Sequence, residues 1–147
     1  MGSSYGTAWP LPLIGARDSG ANQTCTAGAD TTIITFSSVA AVQPGFYYPV
    51  IFAALALTMG ATAPSAIAVK AKLNGGAAFA TVNLWTSLLT NNGNIYVPVI
   101  MQGTTSGSLW FPGPVIVTLA VNPTGQNVTY TDAPSQCRVA LERGNDS

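Results

Sequence analysis

Acid–base catalysis, metal binding and nucleophilic attack each require particular side chains, and this chain supplies few of them. It contains no histidine, which removes the commonest general base and metal ligand and every Ser–His–Asp or Cys–His arrangement. The acidic residues are Asp18, Asp30, Asp132, Glu142 and Asp146. Their spacing offers no pair of carboxylates for the acid and base of a glycosidase. The residue types therefore predict no catalytic, metal-binding or cofactor-binding site, and they argue against an enzyme.

Other chemically suggestive residues have structural interpretations. The Gly-rich segment 103–107 is followed by neither a helix nor a lysine that would cradle phosphate. Asp132 precedes Ala133-Pro134, which predicts a turn. Cys137 falls on the apolar face of the last strand, where a free cysteine behaves as a small hydrophobe. A disulfide to Cys25 is an alternative, although a protein made inside a cell keeps its thiols reduced.

Charge is the most informative property of the composition. Charged residues make up 7% of the 147 residues, whereas they make up about 25% of an ordinary soluble domain. The net charge is zero, and Lys70 and Lys72 carry the only formal charges between Thr31 and Thr131. Nucleic-acid binding and a polybasic membrane patch both need clustered lysine and arginine, so neither partner is expected. The longest apolar run, 49–63, is too short for a transmembrane helix, and we expect no exported precursor. The surface is predicted to be neutral and polar, or covered by other subunits.

The segment 46–73 predicts two long strands joined by a turn at 60–65 as a hairpin. The second strand alternates, with Lys70 and Lys72 on one face and an apolar row on the other. The first is apolar on both faces over 50–57, which predicts a central strand covered on both sides.

Further strands are predicted at 31–36, 77–89, 95–101, 115–121, 127–131 and 136–142. Turns are predicted at Gly75-Gly76, at 90–94, where Asn-Gly favours positive φ, and at 122–125. About eight strands without a helical segment predict an all-β fold, a jelly-roll-like antiparallel β-sandwich at 31–147. An immunoglobulin arrangement is disfavoured because Cys25 precedes the first predicted strand.

Residues 1–30 are predicted to form an extended N-terminal arm, since the prolines in Trp9-Pro10-Leu11-Pro12 push the preceding residues to extended conformations. The arm either folds back on its own domain or crosses to a neighbouring subunit. Its predicted interface side chains are apolar: Tyr5, Trp9, Leu11, Leu13 and Ile14. A second predicted interface is the aromatic corner at Trp110 and Phe111, although exposed aromatics also suit a sugar-stacking platform.

A small, neutral, all-β chain with an arm at 4–14 and Pro/Gly-rich turns, including the segment 117–130, resembles the head-decoration (cement) proteins of tailed bacteriophages. The resemblance covers the whole chain in outline and has no diagnostic motif. It implies a non-enzymatic virion protein, made in the host cytoplasm, that forms trimers on the capsid surface and clamps the major capsid protein.

Two other functions stay open at this stage. A glycan- or receptor-binding module of a virion needs a concave face with Trp or Tyr beside Asn, Asp or Gln. A shell-forming jelly-roll capsid protein usually has a basic arm, whereas this arm carries Arg17 next to Asp18.

Overall fold

A computed structural model describes residues 19–36, 44–102, 109–111 and 116–143. The five predicted arm side chains, Tyr5, Trp9, Leu11, Leu13 and Ile14, lie outside the described residues. Within them the chain forms ten strands and one short 3₁₀ helix, Thr86–Leu88. The strands are β1 (Ser19–Gly20), β2 (Gln23–Cys25), β3 (Thr31–Phe36), β4 (Gly45–Met59), β5 (Ala66–Leu73), β6 (Ala78–Asn83), β7 (Asn94–Gln102), β8 (Leu109–Phe111), β9 (Val117–Thr124) and β10 (Val128–Arg143).

The strands form two antiparallel sheets, which confirms the predicted all-β sandwich. Sheet I has the order β1-β3-β9-β5-β6, and sheet II has the order β2-β10-β4-β7, with β8 also paired to β4. Each sheet turns its inner face toward the other sheet and buries it. The core is mainly aliphatic with a few aromatic residues, and its largest fully buried side chains include Tyr130, Phe36, Ile51, Leu55, Ile67 and Leu119.

The hairpin predicted at 46–73 is wrong, because its two strands lie in opposite sheets. β4 pairs with β10, β7 and β8, whereas β5 pairs with β6 and β9. Residues 60–65 therefore connect the two layers. Periodicity showed correctly that Ile67, Val69 and Ala71 share the buried face of β5, but it does not identify the strand against which a face packs. β4 is central, as predicted, but it alternates in burial, and the second sheet covers only one of its faces.

Other predicted boundaries also change. The strand predicted at 77–89 ends at Asn83 and the 3₁₀ helix follows. The turn predicted at 122–125 begins later, because Pro123 belongs to β9 and pairs with Ile67. The predicted aromatic corner begins with a short strand, β8, in which Trp110 pairs with Phe46. The predicted turns near 75 and 92 are confirmed, with positive φ at Asn74, Gly75 and Asn92.

The predicted arm also contributes to both sheets. β1 pairs with β3 and β2 pairs with β10, so residues 19–25 belong to the sandwich, and an arm boundary at residue 30 lies too far along the chain. Cys25 is fully buried in β2. It pairs with Val128 at the edge of sheet II, where its small apolar side chain completes the core.

A bulge of four residues replaces the turn predicted at Asp132. The strands expected at 127–131 and 136–142 are one strand, β10, in which residues 132–135 loop out opposite Leu55. Ser135 closes this bulge: its hydroxyl donates to the Thr131 carbonyl at 2.6 Å and accepts from the Ala56 N–H at 2.9 Å. The buried Ser135 hydroxyl therefore has both a donor and an acceptor.

Candidate functional site

The described residues contain no cluster of three or more His, Cys, Asp or Glu side chains that would hold a metal ion. The structure shows no disulfide between Cys25 and Cys137. Burial raises the pKa of the Cys25 thiol to about 11, so this group stays protonated at neutral pH and is a poor nucleophile. In the described part of the chain no helix is long and apolar enough to cross a membrane. The remaining candidates for function are therefore surfaces.

The outer face of sheet I is polar and its charges are neutralised. Asp30 accepts contacts from Lys70 Nζ at 2.9 Å and Lys72 Nζ at 2.6 Å, and from the Asn122 side-chain amide at 2.6 Å. These contacts, chiefly that of Lys72, hold the pKa of the Asp30 carboxyl well below its usual range. The two lysines that interrupt the neutral middle of the sequence are therefore both paired with one carboxylate.

The outer face of sheet II is apolar and exposed. Polar residues such as Gln102, Thr131 and Gln136 border it. We call its apolar outward side chains on β4, β7 and β8, together with Arg138 of β10, the apolar face: Phe46, Val50, Phe52, Ala54, Ala56, Tyr96, Pro98, Ile100, Trp110 and Arg138. The side chains of Ile100 and Tyr96 are 67% and 55% exposed, and Trp110 is 52% exposed. This face explains why β4 reads as apolar on both sides: its inward row fills the core, and its outward row lies on the surface.

Two local contacts organise the apolar face. Phe46 and Trp110 pack edge to face with ring centroids 5.1 Å apart. The Arg138 guanidinium lies 5.5 Å from the centre of the Phe52 ring, a cation–π contact that places the positive charge above apolar surface. Between Phe52, Pro98 and Gln136 the surface forms a shallow depression of about 430 Å³. Arg138 is the one charged residue among the described side chains of this face.

Of the two interfaces predicted from the sequence, the described residues include only the aromatic corner. Trp110 is exposed on the apolar face, and Phe111 forms the end of β8. Comparison with family models, curated proteins and solved structures found no match to this chain.

A second surface feature, a hollow at the open side of the sandwich, was missed by the sequence analysis. It has a volume of about 340 Å³ and is lined by residues that include Asn83, Trp85, Leu88, Val97 and Pro98. Trp85 is 77% exposed. The sequence signal is the loss of alternation after Asn83, inside the segment 77–89 that was predicted as one strand. We call this feature the Trp85 hollow.

The backbone around Trp85 is firmly held. The Leu84 N–H donates to the Ile67 carbonyl at 2.9 Å, and the Trp85 carbonyl accepts from the Leu88 N–H at 3.0 Å. Leu84 is buried on one side of Trp85, and the 3₁₀ helix follows on the other. The exposed indole is thus presented from a fixed backbone, which lowers the entropy lost when a ligand binds.

Proposed function

We propose that this chain is a structural virion protein, a capsid decoration or cement protein that binds the outer surface of a capsid as an oligomer and stabilises contacts between capsomers. The observation that carries this proposal is the contrast between the two sheets. Sheet I has a polar outer face with neutralised charges, and sheet II has an exposed apolar face. Its partners are other copies of itself and the major capsid protein.

Exposed apolar residues scattered singly are normal on a monomer, but contiguous apolar patches mark interaction sites. Here the rows continue across neighbouring strands: Ile100 pairs with Phe52, and Pro98 pairs with Ala54. Aromatic residues and arginine, such as Tyr96, Trp110 and Arg138, are the types enriched at protein interfaces. This composition supports a protein-binding role for the apolar face.

A shell-binding role also explains why the chain carries so little charge. Contacts made by apolar and neutral polar groups lose little strength as salt screens ion pairs. Many copies on one shell gain strength through multivalency even when each contact is modest. The low charge and the single exposed face thus favour attachment to a large assembly over a free monomeric existence.

The experiment measures co-sedimentation of the purified protein with intact particles of the virus that encodes it. The variant Ile100→Asp places a carboxylate on the apolar face, on β7 opposite Phe52, at a side chain exposed enough to leave folding unchanged. Burying that charge in the contact is expected to weaken binding by about 100-fold, which corresponds to about 2.7 kcal/mol. Wild-type binding should change by less than about threefold between ~0.05 M and ~0.5 M NaCl.

The matched control is Thr124→Asp, which introduces the same charge at an exposed position of β9, the central strand of sheet I. This variant should bind particles like the wild type. Equal loss of binding in both variants would show that charge alone, and not the apolar face, decides attachment. No binding of the wild type to particles would overturn the capsid proposal.

A glycan-binding module is the second candidate, and the Trp85 hollow favours it. An exposed indole next to the Asn83 amide is an arrangement that stacks on a sugar ring and hydrogen-bonds its hydroxyls. A glycan array probed with the wild type and with Trp85→Ala tests this candidate, since only a signal that the substitution removes would support it.

A further inference from the structure

The Trp85 hollow lies where the two sheets end together. Asn83 belongs to β6, the last strand of sheet I, and Val97 and Pro98 belong to β7, the last strand of sheet II. Among the described residues, those that line it carry no charge. A rigid hollow formed by an indole, aliphatic side chains and a proline is the kind of surface that accepts a polyproline II segment, whose prolines and apolar side chains pack on the aromatic ring.

The chain itself carries a segment with that chemistry. Residues 9–14 read Trp-Pro-Leu-Pro-Leu-Ile. The two prolines fix φ and keep the residue before each of them extended, so this segment has a strong preference for polyproline II and loses little entropy on binding. It is uncharged, like the hollow. The described chain begins at Ser19, five residues after this segment.

The sheet topology separates this segment from the hollow of its own chain. Ser19 lies in β1, at the opposite edge of sheet I from β6, which is about 19 Å away across four strand spacings. Ser19 is level with Lys72 of β5, whereas Asn83 is level with Ala68. This offset of four residues adds about 13 Å along the strands, so the straight line is about 23 Å.

The arm is too short to place the whole segment in its own hollow. Ile14 precedes Ser19 by five residues, so even a fully extended chain carries it only about 17 Å. Trp9 precedes Ser19 by ten residues and reaches about 34 Å when extended, which spans the distance, but only with the arm laid across a face of the sandwich. A neighbouring copy that places its β6/β7 edge beside the β1 edge meets the segment without stretching it. Because the segment leaves from one edge of the sandwich and the hollow lies at the opposite edge, the contact between copies is head-to-tail. Such contacts close into a ring when the rotation from one copy to the next divides a full turn evenly.

We infer that residues 9–14 of one copy bind in the Trp85 hollow of the next copy, and that this contact assembles the chain into a closed head-to-tail ring. The contact joins two copies of this chain, and it does not depend on what the ring binds.

The decisive experiment separates the two halves of the contact into different proteins. One protein lacks residues 1–15 and keeps the hollow. The other keeps the arm and carries Trp85→Ala, a substitution at a side chain exposed enough to leave the fold intact. Analytical ultracentrifugation should show an oligomer for the wild type and a monomer for each variant alone. Mixed together, the two variants should form a one-to-one heterodimer that cannot grow further.

A synthetic peptide of residues 5–16 supplies a direct readout. In the arm-less protein it should shift the indole N–H resonance of Trp85 in NMR spectra, and Trp85→Ala should weaken its binding by at least about 30-fold, as expected for an aromatic hot spot. The matched control is Ile116→Ala, which removes an exposed apolar side chain away from the hollow, at the start of β9. It should bind the peptide and oligomerise like the wild type.

Three results would overturn the inference. The first is a wild-type monomer at ~100 µM, a concentration at which even weak specific contacts of about 10 µM are saturated. The second is an arm-less or Trp85→Ala protein that still forms the wild-type oligomer. The third is a mixture of the two variants that stays monomeric. A glycan signal that depends on Trp85 in a protein with unchanged oligomers would assign the hollow to sugar instead.

Discussion

Replacing Asp30 with asparagine should reveal how the sandwich tolerates its two central lysines. The substitution removes two ion pairs, at 2.9 Å to Lys70 and 2.6 Å to Lys72, in which the Asp30 side chain is 25% exposed. Exposed pairs contribute about 0.2–1 kcal/mol each. Asparagine keeps an oxygen that accepts from Asn122, so that hydrogen bond is largely retained. We therefore expect Asp30→Asn to lower the free energy of unfolding by about 1–2 kcal/mol at pH 7.

The effect should depend on pH in a defined direction. The folded-state pKa of Asp30 lies below its value in the unfolded chain, which is near 3.8. The stabilisation is therefore complete above that value and is lost as the pH falls below it toward the folded-state pKa. Urea unfolding of the two proteins, at one fixed protein concentration, should give the full difference at about pH 7 and a smaller one at about pH 2.5.

A mutant cycle isolates the ion pairs. In a background of Lys70→Met and Lys72→Met the same Asp30→Asn change should cost less than about 0.5 kcal/mol, because only the contact with Asn122 remains to be altered. An undiminished cost in that background, or an equal cost at both pH values, would refute the assignment of the effect to the two lysines.

Two further predictions concern buried groups of sheet II. Ser135→Ala should lower the free energy of unfolding by about 1–3 kcal/mol, since it leaves the Ala56 N–H and the Thr131 carbonyl without the hydroxyl that satisfies both. The control is Ser87→Ala, at an exposed serine of the 3₁₀ helix. An unchanged urea midpoint for Ser135→Ala would show that the bulge closes without the hydroxyl. Burial raises the pKa of the Cys25 thiol from 9.0 to about 11. Because the unfolded chain releases this proton first, the protein should lose stability as the pH rises from about 9 to about 11. Cys25→Ala should remove this pH dependence of the thermal unfolding midpoint, and an identical dependence in the variant would contradict the assignment.

The alternation of single strands was the property that the sequence predicted well. Ile67 and Val69 of β5 read as inward residues and are fully buried, and the Asn92 turn has the expected positive φ. Both depend on the period of a strand or on the preference of one residue, which are local properties.

The pairing of strands was not predictable in the same way. The segment 46–73 reads equally well as a hairpin or as two strands of opposite sheets, because both arrangements bury the same inward rows. Cys25 and the Ser135 bulge were missed for a related reason. Their positions depend on partners 79 to 103 residues away, such as Ala56 for Ser135 and Val128 for Cys25, and periodicity carries no information about such distant pairs.

The apolar face was visible in the sequence but was interpreted as core. β4 is apolar on both sides, and a strand with that composition usually lies between two covering layers. Here the second layer is absent within the described chain, and Phe52 and Ile100 are exposed. The sequence therefore recorded an apolar outward row, and only the structure shows that the described residues leave this row uncovered.

The two proposed contacts are geometrically compatible. In a head-to-tail ring joined at the β1 edge and the β6/β7 edge, rotation symmetry gives every copy the same orientation to the axis, so all sheet II faces point to one side of the ring when the sheets lie across that axis. The ring then presents its apolar faces together to a shell and its polar sheet I faces to the opposite side. Because binding by the ring is multivalent, loss of the arm should weaken particle binding by disassembly alone. Ile100→Asp, in contrast, should leave the ring intact and remove binding, so an Ile100→Asp protein that is monomeric would show that one surface performs both functions.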